Sequence, residues 1–265
     1  MRSKKLLNDI PNTELELETM NYAKEFFPSF HAICDIGCAN GNFLMFAKKQ
    51  GFSVAGIDIN PNAVRSARAM GINAFLPQDV NKKQLELLNK PILFTMRQVI
   101  EHVRSIKELI DWLNNLVDPP WGLIIETPNC YSWCAEAVQY NHKHFHGWGH
   151  LQILSKRSMK ILARDFNMNL IKAETYSYGF GLRSWLQTRF TPWMFDNFSS
   201  ESIKRWPQNA CPEYDGNKLN HKVREATKPA LRSMVGYLLR YIDKCLDKLK
   251  PGGREYIRAV FLRSN

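Results

Sequence analysis

The chain has 265 residues, of which 45% are hydrophobic, and a formal net charge of +11 at pH 7. This length suffices for one large folded domain with an insertion, and no apolar run approaches the roughly 20 residues of a membrane-spanning helix, which excludes a transmembrane segment. The six cysteines form no C-x-x-C pair and the basic start lacks the long apolar core of a signal peptide, so we expect a cytoplasmic protein with reduced thiols.

The first predicted element is a helix within residues 5–28. Apolar residues recur there loosely at helical spacing, and Pro28 ends the helix because proline cannot continue it. We expect residues 1–30 to form a helical cap that leans on a sheet.

A short apolar strand ending at Ile36 leads into a glycine turn and then into a helix that begins near Phe43. Gly37 and Gly41 permit positive φ and let a ligand approach the backbone. Strand, glycine turn and helix form the opening unit of a Rossmann-like sheet, whose ligands bind at the carboxyl edge of the strands. The turn reads D-x-G-x-A-x-G, and its Asp35 carboxylate would repel a pyrophosphate but suits an ammonium group. The turn therefore favours the methionine end of S-adenosylmethionine (SAM) over a dinucleotide.

At this motif the sequence resembles the class I SAM-dependent methyltransferases, whose first motif is D/E-x-G-x-G-x-G. Ala39 stands where the family has its middle glycine. The resemblance implies that Asp35, Gly37, Ala39 and Gly41 bind SAM. It covers roughly residues 30–180 and the last strand, and the chain is similar in particular to the small-molecule enzymes of ubiquinone biosynthesis and of cell-envelope saccharides.

The second predicted strand, residues 53–58, ends in a carboxylate that can bind a nucleoside. Asp58 lies 17 residues after Gly41, where a carboxylate can accept both hydroxyls of a ribose. We place the adjacent Ile59 in the same cofactor site. Asn60 can cap the next helix, and the proline that follows it fits the first helical position.

A third apolar stretch, residues 73–78, is followed by Asp79 and Val80. In the resembled family an acidic residue followed by a small apolar one lies beside the adenine, so the resemblance implies that these two residues contact it. A helix over 82–89 and a strand over 92–99 come next. The letters Q-V-I-E-H-V at the end of this strand resemble the family's fourth-strand motif and imply that Gln98 lines the SAM site.

The next predicted elements are a helix over 105–117 and a strand over 122–126. The strand runs into Thr127-Pro128-Asn129, again as in the resembled family. Five βα units in succession predict a doubly wound parallel sheet. Glu101 and His102 could act chemically, but an ordering role in their loop explains the pair better by analogy with the fold.

Four of the chain's seven histidines lie within residues 141–150. A histidine can act as a general base, and imidazoles at this density can also bind a transition metal. His150 opens the letters H-L-Q-I-L-S, which resemble a family element that leads into a helix capped by Ser155. We therefore take His150 as the first candidate for a catalytic base, followed by His146 and Glu101. The simpler interpretation of the other histidines is that they are exposed loop residues.

RNA methylation is an alternative suggested by a second resemblance. Small-RNA 3′-terminal 2′-O-methyltransferases bind a metal through E-x-x-E-H and a downstream histidine, and the corresponding positions here are Gln98, Glu101, His102 and His150. Gln98 replaces a carboxylate, and a neutral amide is a poorer metal ligand. We therefore expect no metal.

A sixth strand is predicted over 170–178 and an antiparallel seventh over 254–263. The roughly 75 residues between them far exceed an ordinary connection. The first part mixes aromatic residues with arginines and lysines, which suits a lid over the substrate that contacts it through Trp185 and Trp193. A membrane-surface helix and a stacking platform for RNA bases are the alternatives. The second part, roughly 222–249, reads as an amphipathic helix packed against the core.

Positive charge is concentrated in this last third of the chain. Residues 181–265 contain 16 lysines and arginines but only 8 acidic residues. The asymmetry indicates an anionic acceptor, anionic lipid or RNA as partner, and a solvated basic surface explains it equally well.

We predict an α/β protein with a doubly wound, Rossmann-like seven-stranded sheet, an antiparallel last strand and a helical insertion before it. The SAM-binding core spans 31–180, the basic and aromatic lid 181–252 and the final core strand 253–265. The predicted function is SAM-dependent methyl transfer to a small-molecule or lipid- or saccharide-linked acceptor, at oxygen. The alternatives are RNA 2′-O-methylation and a scaffold that binds SAM without turnover.

Overall fold

The structure is a computed structural model that describes residues 14–86, 88, 91–132, 135, 149–176 and 256–264. Seven strands form one sheet in the order β3-β2-β1-β4-β5-β7-β6. Their bounds are β1 Ala32–Ile36, β2 Ser53–Ile57, β3 Asn73–Phe75, β4 Ile92–Arg97, β5 Trp121–Pro128, β6 Asn169–Tyr176 and β7 Tyr256–Arg263. The first five strands pair in parallel, and β7 pairs antiparallel with β5. The predicted α/β fold and its antiparallel last strand are confirmed.

Within the described residues the helices are α1 Glu14–Phe26, α2 Asn42–Lys49, α3 Pro61–Ala69, α4 Lys82–Glu86, α5 Ile106–Leu116 and α6 Lys156–Asp165. Side-chain caps define where three of them begin. Asn60 accepts from the Asn62 amide at the start of α3, and Ser105 accepts from the Glu108 amide at the start of α5. Ser155 and Ser158 form a reciprocal capping box before α6. The predicted caps at Asn60 and Ser155 are therefore confirmed.

The helices cover both faces of the sheet, as a doubly wound fold requires. Apolar side chains of α1, α2 and α3 form one buried cluster on the first face, and those of α4, α5 and α6 contribute to a second cluster on the other face. The strand order reverses between β1 and β4. The carboxyl ends of these two strands therefore flank the crevice where ligands of such sheets bind.

The predicted strand over 92–99 and the apolar stretch over 73–78 both form strands that end earlier than the sequence pattern does. Strand β4 stops at Arg97 because Gln98 has a φ of 58°, which turns the chain away, and its amide donates to the Glu126 carbonyl at 2.7 Å. The Ile100–His102 segment then forms a 3₁₀ turn. Strand β3 stops at Phe75, since the following 3₁₀ turn begins at Pro77, which has no amide hydrogen to donate to a neighbouring strand.

The chain divides into two units. The first comprises Met1–Cys130, Gly147–Thr175 and Tyr256–Asn265, and the second comprises Tyr131–His146 and Tyr176–Glu255. Most of the second unit lies outside the described residues, as do the predicted lid over 181–252 with Trp185 and Trp193, the predicted base His146 and the start of the predicted cap. The predicted domain boundaries stay predictions. No helix in the described ranges combines the length and the hydropathy needed to cross a bilayer.

Candidate cofactor and active site

A cavity of about 750 Å³ opens at the carboxyl ends of β1, β2 and β4. Its apolar lining includes Ile36, Ile57, Ile59, Val99, Val103, Leu109 and Trp112. Its polar lining includes Asp58, Arg97, Gln98, His102, Arg104, Ser105 and Glu108. A largely apolar wall with a few charged groups is typical of a small-ligand site.

The glycine turn after β1 forms part of this cavity and cannot carry a side chain at its first position. Gly37 has a φ of 76°, and a Cβ there would collide with Val99. At Gly41, where φ is 85°, a Cβ would lie 3.2 Å from the Ala67 Cβ. Ala39 adopts a φ of 47° without a glycine, and it lines the cavity. The turn therefore places Gly37 and Ala39 in the cavity wall, and its contact with a ligand stays a prediction.

Asp58 and Ile59 follow β2 and face the same cavity. The Asp58 carboxylate accepts from the Ala39 amide at 2.9 Å and from the Asn60 amide at 2.8 Å. Because a carboxylate has about four acceptor sites, it can still accept the hydroxyls of a ribose. Ile59 is 85% exposed, which leaves an apolar surface open to an adenine or another planar group. The sequence placed both residues in the cofactor site, and the structure brings them together with the glycine turn.

Asp35 lies behind the cavity wall and does not line it. Its side chain is 1% exposed. One oxygen accepts from Thr95 Oγ1 at 2.6 Å and the other from Arg97 Nη2 at 3.2 Å. Its predicted contact with an ammonium group of the ligand stays a prediction.

Of the three other predicted cofactor residues, one lines the cavity and two do not. Gln98 lines the cavity, whereas Asp79 is exposed in the 3₁₀ turn after β3 and Val80 is buried in the core. Pro77, two residues before Asp79, is the member of that turn that lines the cavity. Adenine contacts by Asp79 and Val80 stay predictions.

Sequence reasoning missed Arg97, which ends β4 and lines the cavity. It belongs to a row of charged residues on one face of three neighbouring strands, with Glu126 on β5 and Arg258 on β7 in register. Arg258 Nε donates to Glu126 Oε1 at 2.6 Å, and Thr19 of α1 donates to the same oxygen at 2.9 Å. The period-2 alternation of a strand could have placed Arg97 on the same face as Thr95, but the cross-strand partners depend on strand order.

Glu101, His102 and His150 form a second polar group, here called the EHH group, of which His102 lines the cavity. The rings of His102 and His150 lie edge to face with centroids 4.7 Å apart. Glu101 is fully buried, and its Oε2 accepts from Thr127 Oγ1 at 3.1 Å. Its Oε1 has no hydrogen-bond partner among the described residues. Burial raises the pKa of Glu101, because an ionised carboxylate is poorly solvated there.

Backbone contacts of the loop after Gly149 hold the EHH group in place. The Leu151 and Gln152 amides donate to the Glu101 carbonyl at 2.8 and 3.3 Å, and His102 Nδ1 lies 2.7 Å from the Gly149 carbonyl oxygen. A carbonyl only accepts, so Nδ1 carries the proton and Nε2 of a neutral His102 is the basic nitrogen. One ligand atom from each of the three side chains lies within 4.8 Å of the others. The group can therefore either accept a proton or hold a metal ion.

The cavity fits SAM. The glycine turn leaves no room for a side chain, Asp58 offers acceptors for a ribose, and Ile59 and Trp112 provide apolar surface for an adenine. These features lie along neighbouring strand ends, as an extended nucleoside with an amino-acid arm requires.

Comparisons with known proteins agree with this fit. The family model described as "Methyltransferase domain" matches residues 12–173. No curated protein sequence gives a match. Among solved structures, the chain is similar to a SAM-dependent methyltransferase from Archaeoglobus fulgidus, with a TM-score of 0.52, 14% identity and coverage of 94% of this chain and 93% of that one. The YcgJ protein from Bacillus subtilis gives a TM-score of 0.50 at 11% identity, with coverage of 96% and 100%.

A third similar structure contains a ligand. Phosphoethanolamine N-methyltransferase 2 from Haemonchus contortus, in complex with phosphomonomethylethanolamine and S-adenosylhomocysteine, has a TM-score of 0.50 and 13% identity. The match covers 94% of this chain and 53% of that protein. At these identities the likeness shows the fold, and the family match covers more than half of the chain. The chain therefore belongs to the methyltransferase-domain family and is a SAM-dependent methyltransferase of class I fold.

Proposed function

We propose that the enzyme transfers the methyl group of SAM to an oxygen of a small-molecule or lipid- or saccharide-linked acceptor. The observation that carries this proposal is the EHH group at the cofactor cavity. An attacking hydroxyl must lose a proton, whereas a free amine or a carbanion arrives with its electron pair available. A buried carboxylate beside two imidazoles supplies the proton acceptor that oxygen chemistry needs.

The residues of the cavity hold and orient the cofactor in this proposal. Asp58 binds the ribose, the Gly37 and Ala39 backbone accommodates the methionine portion and Ile59 covers the base. When bound, SAM supplies an electrophilic methyl group on a sulfonium. The protein's contribution to such a displacement is mainly the alignment of two reactants and the exclusion of water. The cavity volume of about 750 Å³ is in the range of sites that bind small ligands.

His150 is the proposed base, and we propose that His102 lies between it and the acceptor. His102 lines the cavity, and its ring packs edge to face against His150. In the proposed path the acceptor hydroxyl gives its proton to an imidazole of the EHH group. The charge of Glu101, when ionised, stabilises the imidazolium that forms.

Product identification tests this proposal directly. The enzyme is incubated with candidate acceptors, grouped as hydroxylated metabolites, saccharides and lipid-linked saccharides, and with SAM carrying a ¹³C-labelled methyl group. We expect a labelled product whose methyl carbon has the NMR shift of a methoxy group. A product labelled at nitrogen or carbon would contradict oxygen transfer.

Methylation of an RNA 2′-hydroxyl is a second candidate, and the same EHH group favours it. Two histidines and one carboxylate can hold a divalent ion, and a metal beside the methyl group could bind a ribose oxygen. Gln98, which also lines the cavity, is a weaker metal ligand than a carboxylate. This candidate requires a metal, whereas the preferred one does not, so chelation separates the two.

A further inference from the structure

Arg97 occupies a fixed position in the wall of the cofactor cavity. Its Nη2 donates to Asp35 Oδ2 at 3.2 Å, and its guanidinium carbon lies 3.9 Å from the centroid of the Phe43 ring. Its side chain is 16% exposed. A carboxylate on one side and an aromatic face on another hold the guanidinium in one orientation before any ligand arrives.

This guanidinium has hydrogen-bonding capacity that the described residues do not use. Arginine carries five N–H donors. The buried Nε of Arg97 has no acceptor among the described residues, and a buried donor without a partner is costly to maintain. Burial alone would lower the pKa of Arg97, but the carboxylates of Asp35, Glu126 and Glu16 more than offset that effect and raise the pKa. Arg97 is therefore a permanent cation in the cavity wall, with one buried donor that no described residue accepts from.

The nearby carboxylates of Asp35 and Glu126 differ in how far they are engaged: both Asp35 oxygens accept hydrogen bonds, whereas Glu126 accepts through Oε1 and its buried Oε2 has no partner among the described residues. Asp35 accepts from Thr95 and from one nitrogen of Arg97. Arg258 donates through Nε to Glu126 and through Nη1 to Glu18 of α1, so it bridges the two carboxylates. An anion in the cavity would be attracted to Arg97 through the 16% of its side chain that is exposed.

The position of Arg97 along the sheet identifies which anion of the cofactor it meets. Asp58 follows β2, the glycine turn follows β1 and Arg97 ends β4, and these three strands are consecutive neighbours in the sheet. Two strand spacings separate the ribose end of the site from Arg97, roughly 10 Å. The amino-acid arm of SAM can span such a distance and ends in one carboxylate.

We propose that Arg97 binds the α-carboxylate of the methionine portion of SAM and that Asp35 is a positioning residue which orients Arg97. This assignment differs from the sequence-based expectation, in which Asp35 itself meets the ammonium group. A guanidinium and a carboxylate can form two parallel hydrogen bonds, which gives both affinity and orientation. Arg97 thereby distinguishes SAM from adenosyl sulfonium compounds that lack the carboxylate.

Calorimetry with two ligands tests the assignment. The ligands are S-adenosylhomocysteine and its decarboxylated analogue, S-adenosyl-3-thiopropylamine, which differ only in the carboxylate. We expect the wild-type enzyme to prefer S-adenosylhomocysteine by about tenfold or more, as one charge-assisted hydrogen bond implies. Arg97→Met should abolish the preference and leave affinity for the decarboxylated analogue within roughly threefold of wild type. Arg97→Lys should retain part of the preference.

Two further variants complete the experiment. Arg104→Met removes the other arginine of the described cavity wall and should keep the preference. Asp35→Asn should reduce the preference without abolishing it, because Arg97 remains but is less well oriented. A preference that survives in Arg97→Met would overturn the assignment, and so would an equal loss of both ligands, which indicates a general structural defect. If only the KM of the methyl acceptor rises in Arg97→Met, Arg97 binds the acceptor and the assignment is wrong.

Discussion

The Ala39 amide donates a 2.9 Å hydrogen bond to Asp58 Oδ2, so the cofactor turn after β1 is tied to the carboxylate after β2. Asp58 therefore has two tasks. In the proposed complex it offers acceptors to the ribose, and in the structure it accepts from Ala39, which has a positive φ of 47°. We therefore expect a single substitution at Asp58 to remove the proposed ribose contact and to loosen the turn at Ala39.

We accordingly expect Asp58→Ala to weaken S-adenosylhomocysteine binding at least about tenfold, which corresponds to ~1.4 kcal/mol. Titration calorimetry measures the change. Asp165→Ala, at an exposed position at the end of α6, serves as the control and should bind as wild type. Unchanged affinity in Asp58→Ala, or binding of NAD in place of the SAM product, would show that the cavity has been assigned to the wrong ligand.

The buried carboxylate of Glu101 should make stability depend on pH. Burial raises its pKa above the ordinary value of 4.5, so the unfolded chain loses this proton at a lower pH than the folded protein does. The stabilising contribution of protonated Glu101 to the free energy of unfolding is therefore fully present below about pH 4.5. It is lost as the pH rises through the pKa that Glu101 has in the folded protein. The substitution Glu101→Gln should remove this fall in stability with pH, because glutamine does not ionise. The glutamine oxygen can still accept the hydrogen bond from the Thr127 hydroxyl.

The measurement is urea unfolding of wild type and Glu101→Gln at about pH 4.5 and about pH 8. We expect the variant to gain stability relative to wild type at the higher pH, on the order of 1 kcal/mol. A difference that is constant or that shrinks with pH would contradict an unfavourable charge at Glu101. The activity of the same variant should fall, because the EHH group loses its carboxylate.

The proposed base gives a kinetic prediction. His150→Asn should lower kcat about 10²–10⁴-fold, the usual contribution of a positioned general base, while S-adenosylhomocysteine affinity changes less than roughly threefold. His146→Asn, the second histidine that the sequence nominated, is the matched comparison. If only His146→Asn loses activity, the base lies in the histidine-rich loop and the EHH group orders its surroundings instead.

Activity measured after treatment with a chelator shows whether methyl transfer requires a metal ion. We expect methyl transfer to continue after treatment with a chelator and exhaustive dialysis, because the proposed proton acceptor needs no ion. Addition of Mn²⁺, Co²⁺ or Mg²⁺ should then change the rate by less than roughly threefold. Activity that disappears with the chelator and returns with one of these ions would place RNA ribose methylation first and would assign Glu101, His102 and His150 as ligands.

The predicted lid lies outside the described residues and needs its own test. We expect Trp193→Ala to impair methyl transfer through the KM of the acceptor or through kcat, because a tryptophan can cover a large apolar area of a substrate. Affinity for S-adenosylhomocysteine should change by less than roughly threefold. Normal kinetics in this variant, together with salt-sensitive binding of the wild type to anionic vesicles or to RNA, would indicate a binding surface in place of a lid.

Local sequence patterns predicted the parts of the site that local geometry determines. Asn60 caps a helix through the amide of Asn62, two residues away, so a local pattern sufficed to identify it. Gly37 and Asp58 were singled out by their motifs, although the structure places Gly37 against Val99 and Asp58 against Ala39. Family membership also favours an enzyme over a SAM-binding scaffold. The acceptor depends on side chains whose arrangement no motif specifies, and it stays a proposal.

The sequence did not predict the contacts that depend on strand order. Arg97 meets Asp35 across 62 positions of the chain, and Arg258 meets Glu126 across 132. No spacing rule links such residues before the sheet order is known. The end of β4 was missed for a related reason. Gln98 and Val99 continue an extended pattern, but a positive φ at Gln98 and its bond to the Glu126 carbonyl turn the chain aside.

The place of β7 in the sheet has a consequence for the order in which the protein assembles. Strand β7 follows β6 along the chain but lies between β5 and β6 in the sheet, so β6 joins the sheet only together with β7 or after it. The same insertion delivers Arg258 to Glu126 and to α1. Closing contacts of such long sequence separation is slow. Ligand affinity should therefore appear late in refolding, after much of the secondary structure has formed.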